Sequence, residues 1–108
     1  MKHGVTVSDM SSLELYENYE AELDSLLASI SHKISNIASV SGERKNKVLG
    51  NVERDLREAK DILGSMEMEL RSLDNSSRLR IQPKLKLKRD QVERIEGVLV
   101  LVYLILEH

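Results

Sequence analysis

The sequence predicts an all-α protein, folded as an antiparallel up-down-up three-helix bundle with left-handed, coiled-coil-like packing. Apolar residues recur three or four positions apart in three long stretches, which is the spacing of one buried helix face. Short polar segments separate the stretches, and helices joined by short links lie antiparallel. The 108 residues include three Tyr and neither Phe nor Trp, so aliphatic side chains must fill the core.

The first helix is predicted over residues 12–38, within a bundle of residues 11–105 and after a flexible lead of residues 1–10. Ser11 and Glu14 match the capping box S-x-x-E, which marks the start of a helix. Leu27 is expected to widen the apolar face. The predicted buried face of this helix consists of Tyr16, Tyr19, Leu23, Leu26, Ile30, Ile34 and Ile37.

The second helix is predicted over residues 43–73, with Ser41 as its N-cap. Its apolar residues alternate steps of three and four without a break, which is typical of a helix packed lengthwise on its neighbours. Opposite charges four residues apart, such as Glu53 with Arg57 and Glu67 with Arg71, are expected to pair along the exposed side. The predicted buried face consists of Leu49, Val52, Leu56, Ala59, Leu63, Met66, Leu70 and Leu73.

The third helix is predicted over residues 78–104, after a polar linker of residues 74–77. Proline disrupts a helix beyond its first turn, so Pro83 predicts that the regular helix begins near Gln82 and that residues 77–81 form a looser turn. Residues 98–105 are apolar on every face, and residues 106–108 are interpreted as a vector-derived tag remnant outside the bundle. The predicted buried face includes Ile81, Leu85, Val92, Ile95 and Leu99.

The sequence indicates no catalytic, cofactor-binding or metal-binding residues and no small-molecule substrate. Cysteine is absent, and the three histidines form neither an HExxH motif nor a cluster. A glycine-rich phosphate loop and a nucleophile elbow are also missing. The net charge of −2 and the lack of aromatic residues among the basic ones argue against nucleic acid as a partner.

A basic run at residues 78–89 is the one charge asymmetry, and two interpretations of it stay open. It is either a solvated face that balances the acidic first helix, or a docking surface for an acidic partner or for anionic lipid headgroups. The candidate partner surface consists of Arg80, Lys84, Lys86 and Arg89.

Two segments resemble the N-terminal, Habc-like domain of Vti-type vesicle transport v-SNAREs, which are Qb-SNAREs. The first is Tyr-Glu-Asn-Tyr-Glu at residues 16–20. The second, sharper one is Asn-Val-Glu-Arg-Asp-Leu-Arg-Glu-Ala-Lys-Asp-Ile-Leu at residues 51–63, followed by Met-Glu-Met-Glu-Leu-Arg at residues 66–71. The resemblance covers about residues 12–96 and is strongest in the second helix.

The resemblance implies a non-catalytic, regulatory domain of a SNARE in vesicle trafficking and membrane fusion. The implied partners are epsin-like adaptor domains and other SNAREs. The implied location is the cytosolic face of trans-Golgi, endosomal and vacuolar membranes. Family members are held there by a C-terminal anchor that this chain lacks, so the chain alone is expected to be soluble and cytoplasmic.

The apolar stretch at residues 98–105 favours an alternative of a different class. A helix that is apolar all round needs to be buried on all sides. The alternative is therefore a structural coiled-coil protein that self-associates through its C-terminal helix.

Overall fold

The computed structural model describes residues 11–106, which form three α-helices: α1 (Ser12–Ser35), α2 (Gly42–Arg71) and α3 (Asn75–Leu106). A short 3-10 helix at Ile37–Ser39 follows α1, and no strand occurs within this range. The three helices pack against one another, which confirms the predicted all-α bundle. The predicted lead at residues 1–10 and the last two residues of the predicted tag lie outside the described range.

The start of α1 is the predicted capping box. The Glu14 amide donates to Ser11 Oγ at 3.1 Å, and the Ser11 amide donates to Glu14 Oε1 at 3.0 Å. The helix α1 ends at Ser35, a little before the end predicted near residue 38. Ser35 Oγ donates to the His32 carbonyl at 2.9 Å, and such side-chain bonds compete with the helical ladder.

The chain enters α2 differently from the prediction. Ser41 precedes the helix, but its side chain makes no capping hydrogen bond. Gly42 has a φ of 63°, a left-handed conformation that glycine adopts without steric cost. At this end of α2, the predicted side-chain cap of Ser41 is absent and a left-handed glycine follows.

The predicted start of α3 was also wrong, because the helix begins at Asn75 and runs through Pro83 without ending. Asp74 caps it: Oδ2 accepts from the Ser77 amide at 3.2 Å, and its carbonyl accepts from the Arg78 amide at 2.9 Å. Pro83 cannot donate to the carbonyl of Leu79. Both residues are exposed, so water can satisfy that carbonyl.

The helix α2 is the centre of the fold. It packs along both α1 and α3, whereas α1 and α3 make few contacts with each other. All eight residues of its predicted face are buried, together with Ile62. The buried residues of α3 are Ile81, Leu85, Val92, Ile95 and Leu99.

The buried face of α1 is rotated relative to the predicted one. Leu27, which was expected only to widen the face, is buried, whereas Leu26 is half-buried against the core. Tyr16, Leu23 and Ile30 are buried as well. The remaining predicted residues, Tyr19, Ile34 and Ile37, are half-buried against the edge of the core.

Candidate partner-binding surfaces

The four basic residues predicted as one partner surface lie on two different faces of α3. Arg80 and Lys84 line a cleft between α1 and α3. Lys86 and Arg89 line a separate cavity between α2 and α3. Successive helical residues are rotated by about 100°, so positions 80 and 84 share one side and positions 86 and 89 share another. The structure therefore does not bring the four residues together on one face of α3.

The cleft between α1 and α3 brings opposite charges together. It has a volume of about 150 Å³, and Arg80 and Lys84 line it together with Glu17 and Glu20 of α1. This arrangement agrees with the interpretation that the basic run balances the acidic first helix. For Arg80 and Lys84, charge balance between two helices is the simpler role.

Tyr16 lies buried beside the same cleft. Within residues 11–106 its hydroxyl has no hydrogen-bond partner. Burial raises the pKa of Tyr16 to about 12, and the charges of Glu20 and Asp24 add to the shift. The side chain therefore stays neutral and serves as part of the core.

Polar bonds join α2 and α3 in a seven-residue register that the sequence reading missed. Glu67 pairs with Arg89, Lys60 pairs with Glu96, and Glu53 accepts a hydrogen bond from the Tyr103 hydroxyl. Each step moves seven residues back along α2 and seven forward along α3. This is the repeat of an antiparallel coiled coil, and the spacing within each helix is a signal that the sequence carries.

The same bonds correct the predicted charge pairs within α2. Glu53 was expected to pair with Arg57, and Glu67 with Arg71, but both carboxylates contact α3 instead. Lys88 joins α3 to α1, because its Nζ donates a hydrogen bond to Asp24 Oδ1 at 2.5 Å. These contacts fix how the helices face one another, and hence which side chains remain available to a partner.

The cavity between α2 and α3 lies near the link that joins them. It has a volume of about 630 Å³, and four cationic side chains line it: Arg71, Arg78, Lys86 and Arg89. Arg78 is held in place because Nη1 donates to the Leu73 carbonyl at 3.4 Å and Nη2 to Asn75 Oδ1 at 3.3 Å. Arg71 is on α2, so a search for a basic run along the chain could not find it.

The last turns of α3 carry exposed apolar side chains. Val100, Leu101, Leu104 and Ile105 are all exposed, and Tyr103 is half-buried. The hydrogen bond to Glu53 raises the pKa of Tyr103 to about 12, and burial and the carboxylate charge act in the same direction. One side of this segment is therefore tied to α2, while the other faces solvent.

The described residues provide no cluster suited to metal binding. Across residues 11–106, no group of three or more His, Asp and Glu side chains is placed to hold an ion. No helix in the same range combines the length and apolarity that a membrane crossing requires.

Comparison with known proteins covers most of the chain. A family model described as "Vesicle transport v-SNARE protein N-terminus" matches residues 10–100. This chain belongs to the vesicle transport v-SNARE family. The match covers all three helices up to the last turns of α3, and it confirms the resemblance to a Vti-type N-terminal domain.

Similar proteins carry the name "Vesicle transport through interaction with t-SNAREs homolog 1A". The Homo sapiens protein is 28% identical over 81 residues, which cover 75% of this chain and 37% of the relative. The Rattus norvegicus protein is also 28% identical over 81 residues, covering 75% and 36%. The v-SNARE chain thus spans little more than a third of these relatives. No solved structure matches it.

Proposed function

We propose that this v-SNARE chain is a regulatory, adaptor-binding domain that directs its SNARE into vesicle traffic. The proposed vesicle traffic runs between trans-Golgi, endosomal and vacuolar membranes, and the SNARE takes part in membrane fusion there. The observation that carries the proposal is the family match over residues 10–100, which coincides with the three-helix bundle. Its mechanism is recognition by exposed helix faces, with no bond chemistry.

The proposed partners are proteins of two kinds. The name of these relatives refers to interaction with t-SNAREs, which supports other SNAREs as partners. Epsin-like adaptor domains are the second kind, by resemblance to the family's N-terminal bundles. The ion pairs between helices support this role, since they hold the exposed faces in fixed positions and so lower the cost of ordering on binding.

A nuclear magnetic resonance titration tests the adaptor proposal. The ¹⁵N-labelled chain is titrated with an epsin-like adaptor domain, and we expect amide shifts confined to one helix face. A helical protein of similar size and charge, from outside trafficking, serves as the control. A folded chain whose spectrum is unchanged by every adaptor domain tested would contradict the adaptor role.

A second function, self-association, is favoured by the exposed apolar side chains of Val100, Leu101, Leu104 and Ile105. Burying them against a second copy would remove apolar area from water. Sedimentation equilibrium distinguishes the two functions. A concentration-dependent dimer that Leu104→Ser abolishes would support self-association, and a monomer at high concentration would exclude it.

A further inference from the structure

The cavity between α2 and α3 concentrates positive charge on a chain whose net charge is −2. Arg71, Arg78, Lys86 and Arg89 line it, and Glu67 is the one carboxylate in its lining. Arg89 pairs with Glu67, and Lys86 contacts Asp90 at 3.2 Å. Arg71 has no ion-pair partner in the described range, and Arg78 bonds only to a carbonyl and an amide oxygen. The cavity therefore keeps two uncompensated guanidinium groups.

The same cavity has an apolar surface. Three leucines and Pro83 contribute to its lining. Leu70 and Leu85 are buried, whereas Leu79 is 63% exposed. An exposed leucine next to unpaired arginines leaves apolar area and charge available in one place. Its volume of about 630 Å³ accommodates several side chains rather than a single ion.

We propose that this cavity binds an acidic peptide segment of a partner protein, with one apolar side chain seated against Leu79. The charge complements carboxylates, and the planar guanidinium groups of Arg71 and Arg78 match carboxylate geometry. Leu79 allows the peptide to bury an apolar side chain, which adds affinity that charge alone does not give. A concave, part-apolar cavity fits a peptide better than a membrane surface, which would meet projecting cations first.

The test uses a fluorescein-labelled, acetylated and amidated hexapeptide in which one leucine is flanked by aspartates and glutamates. Fluorescence anisotropy with the full chain should show binding that weakens as salt is raised. Arg71→Gln combined with Arg78→Gln should weaken it by about five- to tenfold, since exposed ion pairs contribute modestly. Leu79→Ser should weaken it by a similar factor. Arg57→Gln is the matched control, an exposed arginine on α2 outside the cavity, and should leave affinity unchanged.

The outcomes separate the alternatives. Circular dichroism and amide spectra first establish that each variant is folded. Equal affinity for all variants, equal affinity for a peptide with Asn and Gln in place of Asp and Glu, or no binding at millimolar peptide would each overturn the proposal. The proposal would also be overturned if the chain bound phosphatidylserine vesicles through Arg71 but did not bind the peptide. The proposal is independent of the adaptor role. Cavity variants that no longer bind the peptide but still bind the adaptor domain would separate the two activities.

Discussion

Lys33 of α1 donates a hydrogen bond of 2.7 Å from Nζ to Oδ2 of Asp55 on α2. Asp55 is 8% exposed, and it is the one charged residue that is buried within residues 11–106. A carboxylate at this depth needs a partner, since leaving it unpaired costs its desolvation energy. The pair therefore fixes how α1 lies on α2 as well as neutralising the charge.

We expect Lys33→Met to lower the free energy of unfolding by about 1–3 kcal/mol, because it leaves the Asp55 carboxylate buried without its partner. The side chains are 32% and 12% exposed, so the loss should fall below that for a fully buried pair. The double variant Lys33→Met/Asp55→Leu should recover much of it. Urea denaturation of the four proteins measures the coupling. Additive losses would contradict the pairing argument.

Leu63→Ala and Leu56→Ala should each destabilise the bundle by about 2–5 kcal/mol, because both side chains are buried between helices. Leu87→Ala is the matched control, since Leu87 is 69% exposed, and it should change stability by less than about 0.5 kcal/mol. Thermal and chemical denaturation provide the comparison. If Leu63→Ala unfolded like the control, the assignment of the α2 buried face would fail.

Stability should fall as the pH rises from 10 towards 12. The ordinary pKa of a tyrosine is 10.0, and the hydrogen bond to Glu53 raises the pKa of Tyr103 to about 12 in the folded chain. The folded state therefore holds this proton more tightly than the unfolded state. The contribution is complete below pH 10 and is lost as pH approaches 12. Tyr103→Phe should lower stability at neutral pH and flatten this alkaline slope. An unchanged slope would show that the bond has no role.

Asp74→Ala should lower the melting temperature, because it removes the cap that allows α3 to start at Asn75. The hydrogen bonds with the Ser77 side chain and amide lower the pKa of Asp74. Since the folded-state pKa is below the unfolded one, the stabilisation is present at neutral pH and is lost as pH falls through the lowered pKa. Asp74→Asn should retain more stability than Asp74→Ala. Equal melting temperatures for all three at pH 7 would contradict capping.

Tyr16→Phe should stabilise the chain or leave it unchanged, which is unusual for a core substitution. The Tyr16 hydroxyl is buried without a partner within residues 11–106, so its removal relieves a desolvation cost of about 1 kcal/mol. Removal of this ionisable hydroxyl should also reduce the alkaline loss of stability, since burial raises the pKa of Tyr16 to about 12. Destabilisation by more than about 1 kcal/mol would show that the hydroxyl has a partner.

The sequence predicted the helices and the α2 face because apolar periodicity is a local property. The steps from Leu49 to Leu73 needed no knowledge of neighbouring helices, and all eight positions are buried. The start of α3 was missed for a different reason. Proline disrupts a helix partly because it removes one backbone hydrogen bond. The free-energy cost of the bond lost at Pro83 depends on whether water reaches the Leu79 carbonyl, and only the tertiary structure decides that.

The candidate surface was less predictable than the fold. The basic run of residues 78–89 was read along the chain, whereas a surface depends on rotation around the helix and on what stands opposite. Arg80 and Lys84 face acidic α1 residues, and Arg89 faces Glu67. Arg71 joins the cavity from another helix. Such pairings between distant positions do not show in any single stretch of sequence.

Because α1 and α3 contact each other little, opening of the domain should proceed in parts. Loss of α3 would leave α1 and α2 as a hairpin with its own apolar contacts and the Lys33–Asp55 bond. Amide hydrogen exchange should therefore resolve two protection levels, with α3 exchanging faster and α1 and α2 exchanging together. The most weakly protected unit would then be α3, which contributes most of the residues that line the cavity, so a ligand bound there would slow exchange along α3 in particular.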